Sequence, residues 1–186
     1  DCFLKALVMQ ESIVPTPELE IANTCRNLGL AYYYNEQYNE AVIYLNRALN
    51  YHAASTDEKS QAEVIELSEF LAYCDYYRDE EESAANKFRK VAEMHESLNG
   101  RLSSGVAKCL RMQGKCLYYI KRYDEAWSLV NEALGIAIQI DNRKQIVACH
   151  KELYHLCKEF KRVMKERGDE QSSTLFFRES LLHEKF

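Results

Sequence analysis

The stretch NLGLAYYYNEQYNEAVIYLNRAL, residues 27–49, decides the fold because parts of it return twice further along the chain. Its tyrosine pair Tyr33-Tyr34 is matched by Tyr76-Tyr77 and by Tyr118-Tyr119, at intervals of 43 and 42 residues. Self-similarity at a fixed period of tens of residues is typical of repeat proteins, in which each unit buries its apolar face against the next. The sequence therefore predicts stacked copies of one supersecondary unit.

Aligning the units on these pairs brings small and large apolar residues into columns. Gly29 and Gly114 fall together, and both would let a second helix approach closely. Small residues beside large ones are typical of interdigitating helices. The columns are Ala41, Ala84 and Ala126, then Leu45, Phe88 and Val130, then Ala48, Val91 and Ala133. They predict two packed helices per unit, with polar turns at 35–37, 78–80 and 120–122.

These residues resemble the tetratricopeptide repeat (TPR). The first unit follows that family's signature at Asn27-Leu28-Gly29 and Tyr38-Asn39-Glu40-Ala41, and the third does so at Gly114 and Tyr123-Asp124-Glu125-Ala126. The second unit departs from it. The resemblance implies an all-α fold, a right-handed α-α superhelical solenoid of TPR-like helix hairpins. Since the usual TPR period is about 34 residues, the chain resembles a long-period subgroup with a period of about 42.

The expected organisation is a single TPR-like repeat domain over residues 1–186. It comprises the second helix of a truncated repeat at 1–14, repeats at 18–56, 59–99 and 101–141, and a lengthened C-terminal capping repeat at 143–186. Helices are expected at 1–12, 18–34, 38–53, 59–78, 80–98, 102–120, 123–140, 143–166 and 170–184. Pro15 and Pro17 would interrupt the chain between the first two, because proline disrupts a helix interior.

Composition narrows the class of protein. No run of about 18 apolar residues exists, and the chain start lacks the features of a signal peptide, so we expect no membrane association and a cytoplasmic location.

The seven cysteines are an odd number and never form C-x-x-C, which favours buried thiols in a reducing compartment. The net charge of −5 disfavours nucleic-acid binding. Residues 1–100 hold 8 Lys/Arg against 18 Asp/Glu, whereas residues 101–186 hold 16 against 11.

Motifs that would carry catalysis do not occur. The chain has no G-x-x-x-x-G-K, G-x-G-x-x-G, G-x-S-x-G or H-E-x-x-H. Cys149, His150, His155 and Cys157 suggest a metal cluster, but one helix cannot direct all four toward one ion. The sequence therefore predicts a protein that is not an enzyme, with no catalytic residues, no metal and no cofactor.

The resemblance implies a ligand groove lined by the first helix of each unit. Mapped onto this sequence, the peptide- or protein-binding residues are Asn23, Arg26, Asn27, Tyr33, Tyr34, Tyr73, Tyr76, Tyr77, Lys108, Arg111, Lys115, Tyr118, Tyr119, Lys158 and Arg162. Tyrosine offers an apolar body with a hydrogen-bonding tip, and Lys and Arg would attract acidic side chains or a free C-terminal carboxylate. The alternative is that one tyrosine of each pair packs between helices and that the basic residues are ordinary surface.

Two functions follow as expectations. The first is a non-catalytic scaffold that holds a segment of a partner protein or peptide in its concave groove. The second is the ligand-sensing domain of a cytosolic peptide-pheromone receptor that regulates transcription or a response regulator, since the repeats and the C-terminal segment resemble the Rap/NprR type. Long-period repeats also occur in kinesin light chains and spindle-orientation adaptors. Phe3, Leu7 and Val8 would be exposed if a preceding helix were missing, which predicts a homodimer through the N-terminal end.

Overall fold

A computed structural model of the chain describes residues 2–13, 18–54 and 57–166. Within these ranges all regular structure is helical. The helices are α1 (Cys2–Glu11), α2 (Glu18–Tyr34), α3 (Tyr38–His52), α4 (Glu58–Tyr77), α5 (Glu81–Asn99), α6 (Ser104–Tyr119), α7 (Tyr123–Gln139) and α8 (Arg143–Glu166). Each helix begins and ends within two residues of its predicted bounds. The helix expected at 170–184 lies outside the described residues.

The chain divides into two compact units, Asp1–Lys87 and Phe88–Phe186, with the boundary inside α5. In the first unit α2 packs against α1 and α3, and α3 packs against α4. In the second unit α6 packs against α7 and α8, and α7 packs against α8. Antiparallel neighbours joined by short turns are the helix hairpins that the repeat predicted. The single domain over 1–186 stays a prediction.

The predicted columns form the core of both units. Leu45 and Val130 are fully buried, and Ala41 and Ala126 are also fully buried. A Cβ atom on Gly29 would lie 2.7 Å from Leu45 Cγ, and one on Gly114 would lie 2.6 Å from Val130 Cγ2. Real Cβ contacts are essentially never this short, so the two helices as they stand leave no room for a side chain at either position. The predicted role of Gly29 and Gly114 is confirmed.

Each hairpin turns through a residue with left-handed backbone geometry. Glu36, Asp79 and Lys121 have φ values of 61°, 58° and 65°. The next amide folds back onto the preceding helix, since Gln37 N–H donates to the Tyr32 carbonyl at 2.9 Å. Such a C-terminal motif gives hydrogen bonds to carbonyls at the helix end that have no partner within the helix. The residue with left-handed geometry in this motif is usually glycine. The turn geometry thus repeats with the period of the sequence even though no glycine marks it.

The cysteines behave as the sequence predicted. All seven are free thiols, and six of them are buried, with only Cys2 exposed. Burial raises the pKa of Cys74 to about 11 and that of Cys149 to about 11. Such thiols stay protonated and pack as small apolar groups.

The N-terminal helix differs from expectation at one position. Phe3 and Val8 are 44% and 68% exposed, but Leu7, also expected at the surface, is only 6% exposed. The expectation for Leu7 is wrong because α1 packs on α2 and Leu7 joins the core with Ile21 and Cys25. Among the described helices none has the length and apolar character needed to cross a bilayer.

Candidate functional site

The predicted binding residues divide between the units. Asn23, Arg26, Asn27, Tyr33, Tyr34, Tyr73, Tyr76 and Tyr77 lie on α2 and α4 of the first unit. Lys108, Arg111, Lys115, Tyr118, Tyr119, Lys158 and Arg162 lie on α6 and α8 of the second. We name two surfaces by the helices that form them. The α2–α4 face comprises Arg26, Tyr33, Glu63, Glu66 and Phe70, and the α6–α8 face comprises Arg111, Lys115, Tyr118, Glu152 and Arg162.

Arg26 is held by two carboxylates from α4. Its Nη2 donates to both Glu66 carboxylate oxygens, at 2.9 and 2.7 Å. Its Nε lies 3.0 Å from Glu63 Oε2 and forms an ion pair with it. The hydrogen bond that Arg26 donates to Glu66 is the main reason that the pKa of Arg26 is raised. The charge of Arg26 is therefore already matched within the unit, and this side chain links α2 to α4.

The first tyrosine of the first pair lies in an aromatic cluster. The Tyr33 ring contacts Phe70 and Tyr38 edge to face, with centroid distances of 5.1 and 5.8 Å. Tyr38 stacks on Tyr77 at 5.1 Å with 13° between the planes. Burial raises the pKa of Tyr33 well above its usual value. Since these rings come from α2, α3 and α4, Tyr33 packs the three helices together, as the alternative interpretation of the tyrosines expected.

The other residues predicted in this unit lie nearer the surface. Asn23 and Asn27 are exposed, and Tyr73 and Tyr76 are half-buried. Tyr34 is 74% exposed and Tyr77 is 49% exposed. Within a pair, the second tyrosine is thus the one that reaches solvent. All of these residues lie on α2 and α4. Arg26, however, is already bonded to carboxylates of α4.

Arg111 in the second unit has a different environment. Its Nε donates to Gln145 Oε1 at 3.2 Å, and its Nη1 lies 3.6 Å from Glu152 Oε1. Lys115 Nζ lies 3.7 Å from the same oxygen. Both of these distances exceed a hydrogen bond. Two cations thus share one carboxylate, in a site where Glu152 is 13% exposed and Arg111 is 14% exposed.

Aromatic rings from α6, α7 and α8 pack together in the same unit. The ring of Tyr118 lies 5.7 Å from that of Tyr123, and Tyr123 lies 6.2 Å from Phe160. Burial, then the charge of Glu159, raises the pKa of Tyr118. Tyr119 is 50% exposed, so here too the second tyrosine of the pair reaches solvent. The arrangement places an exposed phenol on the same helix as Arg111.

The predicted cations on α8 also have neighbours. Arg162 donates to Glu159 Oε2 at 2.8 and 3.0 Å and to Glu166 Oε1 at 2.9 Å. Lys158 Nζ lies 4.6 Å from the centre of the Tyr154 ring, a cation–π contact. Lys108 on α6 is half-buried. The basic residues of the second unit are therefore interleaved with carboxylates and rings.

Sequence reasoning missed the acidic partners. Glu66 lies 40 residues after Arg26, and Glu152 lies 41 residues after Arg111. A signal for this pairing exists, namely a carboxylate almost one period after each arginine. It was hidden because an acidic residue on a helix surface is ordinary unless its partner is known.

The sequence matches part of one curated protein. No family model matches the chain. The sequence is 25% identical over 114 residues to Protein HGV2 of Halocynthia roretzi, covering 60% of this chain and 21% of that protein. The chain thus spans about a fifth of the length of that curated relative.

Solved structures align with nearly the whole chain. The apo form of RapI has a TM-score of 0.71 at 20% identity, covering 97% of this chain and 61% of RapI. The TPR-like repeats of a putative kinesin light chain from Podosopora anserina have a TM-score of 0.59 at 12% identity, covering 88% of this chain and 84% of theirs. The chain has a TPR-like α-helical solenoid fold. At these identities the likeness shows the fold alone.

Some TPR-like neighbours are solved with a ligand. The Rap conjugation gene regulator of the plasmid pLS20, in complex with the Phr* peptide, has a TM-score of 0.57 at 19% identity. The alignment covers 96% of this chain and 46% of the regulator. That regulator therefore binds a peptide.

Proposed function

We propose that this TPR-like chain is a non-catalytic binding module that holds an acidic stretch, or a free C-terminal carboxylate, of a partner protein or peptide on its α6–α8 face. The observation that carries the proposal is the environment of Arg111. The proposal assigns no reaction to the chain.

Arg111 retains the capacity to bind a carboxylate. A guanidinium has five N–H donors in a planar fork. Among the described residues, only Nε of Arg111 makes a hydrogen bond, and its Nη1 contact with Glu152 is ionic at 3.6 Å. A ligand carboxylate would complete the two-bond geometry that guanidinium and carboxylate prefer. Arg26 already has that geometry with Glu66.

The surrounding side chains suit a peptide. Together Arg111, Lys115 and Glu152 carry one net positive charge, which favours an acidic ligand over a basic one. Tyr119 presents a half-exposed phenol on the same helix, and tyrosine supplies contact area at a low cost in side-chain entropy. We therefore place the ligand along α6 and α8 of the second unit.

The test compares two arginines. Arg111→Gln and Arg26→Gln remove the same charge and the same side chain, one from each face. A fluorescent glutamate–leucine peptide and a lysine–leucine peptide of equal length serve as probes, with anisotropy as the measurement. We expect the acidic peptide to bind better, and Arg111→Gln to weaken it about ten-fold or more, the equivalent of one charged hydrogen bond. Arg26→Gln should change its affinity less than about two-fold.

A third variant moves affinity in the opposite direction. Glu152→Gln removes the carboxylate that competes with the ligand for Arg111, so the acidic peptide should bind more tightly. Equal binding of both peptides, or equal effects of the two arginine variants, would contradict the proposal.

A second candidate function is ligand sensing of the Rap type. It is favoured by the alignment with RapI over 97% of the chain and by the peptide held in the pLS20 regulator. In that case a short oligopeptide occupies the same face and changes the activity of a regulatory output. Thermal unfolding with a library of short peptides separates the two functions, since a ligand at about 100 times its Kd adds about 2.7 kcal/mol of stability. If only long acidic segments raise the melting temperature, the scaffold function is favoured.

A further inference from the structure

Tyrosine rings cover the end of the first unit at which α2 and α4 finish and α3 begins. Tyr34 and Tyr77, the last residues of α2 and α4, are 74% and 49% exposed. Both rings contact Tyr33, with centroid distances of 5.3 and 6.2 Å, and Tyr77 stacks on Tyr38. Clustered exposed rings, unlike scattered ones, are typical of interaction surfaces. We call Tyr34, Tyr38 and Tyr77 the tyrosine patch.

The turns beside the tyrosine patch carry negative charge. Glu36 and Asp79 each follow an exposed tyrosine by two residues, and both are exposed. Burial, then the charge of Glu36, raises the pKa of Tyr38, so the field of that carboxylate reaches the rings. Within the described part of the chain neither Glu36 nor Asp79 forms an ion pair, and the one cation of these two turns, Arg78, is paired with Glu80 at 2.7 Å. Two carboxylates are therefore available to a partner.

Charge complementarity favours a cationic partner. Residues 1–87, the first unit, hold 6 Lys/Arg against 16 Asp/Glu, and such a surface attracts basic segments and repels acidic ones. The negative face of a tyrosine ring attracts an organic cation, and arginine makes such contacts more often than lysine. A guanidinium also stacks on aromatic faces and is more weakly hydrated than an ammonium. The combination of rings and carboxylates thus suits arginine better than lysine.

We propose that the tyrosine patch binds an arginine-containing basic segment of a partner protein. A guanidinium would lie against the exposed ring of Tyr34 or Tyr77, while Glu36 and Asp79 accept hydrogen bonds from its N–H groups or from those of a neighbouring arginine. This inference goes beyond the proposed function, since the tyrosine patch lies in the other unit and takes a ligand of the opposite charge.

The hairpin of α6 and α7 provides an internal control. Tyr119 is 50% exposed at the end of α6, as Tyr77 is at the end of α4. The left-handed turn residue beside it is Lys121 in place of a carboxylate, and Arg122 follows. Two cations would repel a guanidinium, so this exposed ring should not bind arginine.

Two fluorescent peptides of equal length, one of alternating arginine and glycine and one of alternating lysine and glycine, test the proposal by anisotropy with the intact chain. The arginine peptide should bind about three-fold more tightly or better. Tyr34→Leu should weaken it about two- to five-fold, the equivalent of one exposed cation–π contact. Tyr34→Phe keeps the ring and should leave the affinity unchanged, as should Tyr119→Leu in the second unit.

A charge reversal tests the carboxylates. Glu36→Lys combined with Asp79→Lys gives these turns the sign of the α6–α7 turn, and the backbone tolerates lysine there because Lys121 has a φ of 65°. The double variant should weaken the arginine peptide about ten-fold at low salt and less at high salt. Glu18→Lys with Glu20→Lys, at the opposite end of α2, changes the net charge equally and should have a smaller effect.

Three outcomes would overturn the proposal. The first is equal affinity for the arginine and lysine peptides, which would mean charge attraction alone. The second is an equal loss with Tyr34→Leu and Tyr34→Phe, which would deny a role for the ring. The third is an equal loss with the two double charge reversals, which would deny a local site. Arg111→Gln should not weaken the arginine peptide, so this proposal and the one for the α6–α8 face can fail independently.

Discussion

Arg26 in the first unit and Arg111 in the second occupy corresponding positions of the repeat, but their surroundings carry opposite charge. Arg26 is one cation between two carboxylates, Glu63 and Glu66. Glu152 is one carboxylate between two cations, Arg111 and Lys115. In each unit the contact joins two helices separated by a third, α2 to α4 and α6 to α8. The geometry of the repeat is thus kept while its electrostatic sign changes.

This difference shows that two units can keep the same helix packing and still differ in the charge of their surfaces. A guanidinium with two carboxylates is saturated and contributes mainly to helix packing, whereas one that shares a carboxylate with a lysine can still recognise a ligand. The same residue type at the same position therefore has different expected roles. Position within a repeat is not enough to assign a binding residue.

The largest expected effect tests whether each unit contains the same close helix crossing. Gly29→Ala and Gly114→Ala should each destabilise the fold by about 1–2 kcal/mol, because the new Cβ would overlap Leu45 or Val130 and overpacking exceeds the gain in helix propensity. Backbone atoms at 3.1 Å in both cases limit relaxation. Urea unfolding of the variants measures the loss.

Gly135 provides the matched control. It lies inside α7, and a Cβ there would meet nothing within 4 Å. Gly135→Ala should therefore stabilise the chain by about 0.5–1 kcal/mol. If all three alanine variants behaved alike, the close helix crossing would not be the reason for glycine at 29 and 114.

The helix crossing that recurs in each unit is the part of the structure that the sequence predicted well. Gly29, Ala41 and Leu45 recur at a fixed period because a helix crossing permits few residue sizes, and each recurrence strengthens the inference. Helix bounds followed from the same period and from polar turns. Even the left-handed residue Lys121 falls in a predicted turn, although its identity gives no sign of its backbone geometry.

The surface was harder to predict because a long polar side chain can reach several partners. The contacts of Arg26 and Arg111 depend on rotamers and on a helix about 40 residues away, so neither could be read from local sequence.

A smaller effect distinguishes the two arginines by stability. Arg26→Gln should cost about 0.5–1 kcal/mol, a value discounted for partial exposure, because it leaves two carboxylates without their cation. Arg111→Gln should cost less than about 0.5 kcal/mol, because Lys115 remains 3.7 Å from Glu152. Chemical denaturation at low and high salt measures both losses. Since salt screens exposed pairs, the difference should shrink at high salt.

This ranking is the reverse of the one expected for ligand binding, in which Arg111 matters more. A double-mutant cycle of Arg26→Gln with Glu66→Gln isolates the pair. A coupling energy near zero would mean that the contacts of Arg26 do not stabilise the first unit, and the contrast between the two faces would then rest on ligand binding alone.

The smallest effect at neutral pH concerns the first tyrosine of each pair. Burial is the leading cause of the raised pKa at both Tyr33 and Tyr118, so both should behave alike despite the opposite surface charges. An unfolded tyrosine titrates near pH 10. Stability linked to the neutral phenol is therefore complete below about pH 10 and is lost as pH rises toward the higher folded value.

Tyr33→Phe and Tyr118→Phe should change stability by less than about 0.5 kcal/mol near pH 7. Above about pH 10 these variants should lose less of their stability than the parent chain does. Denaturation at both pH values measures this, with the exposed Tyr34→Phe as control. A pH profile of Tyr33→Phe parallel to that of the parent would show that its burial does not resist ionisation.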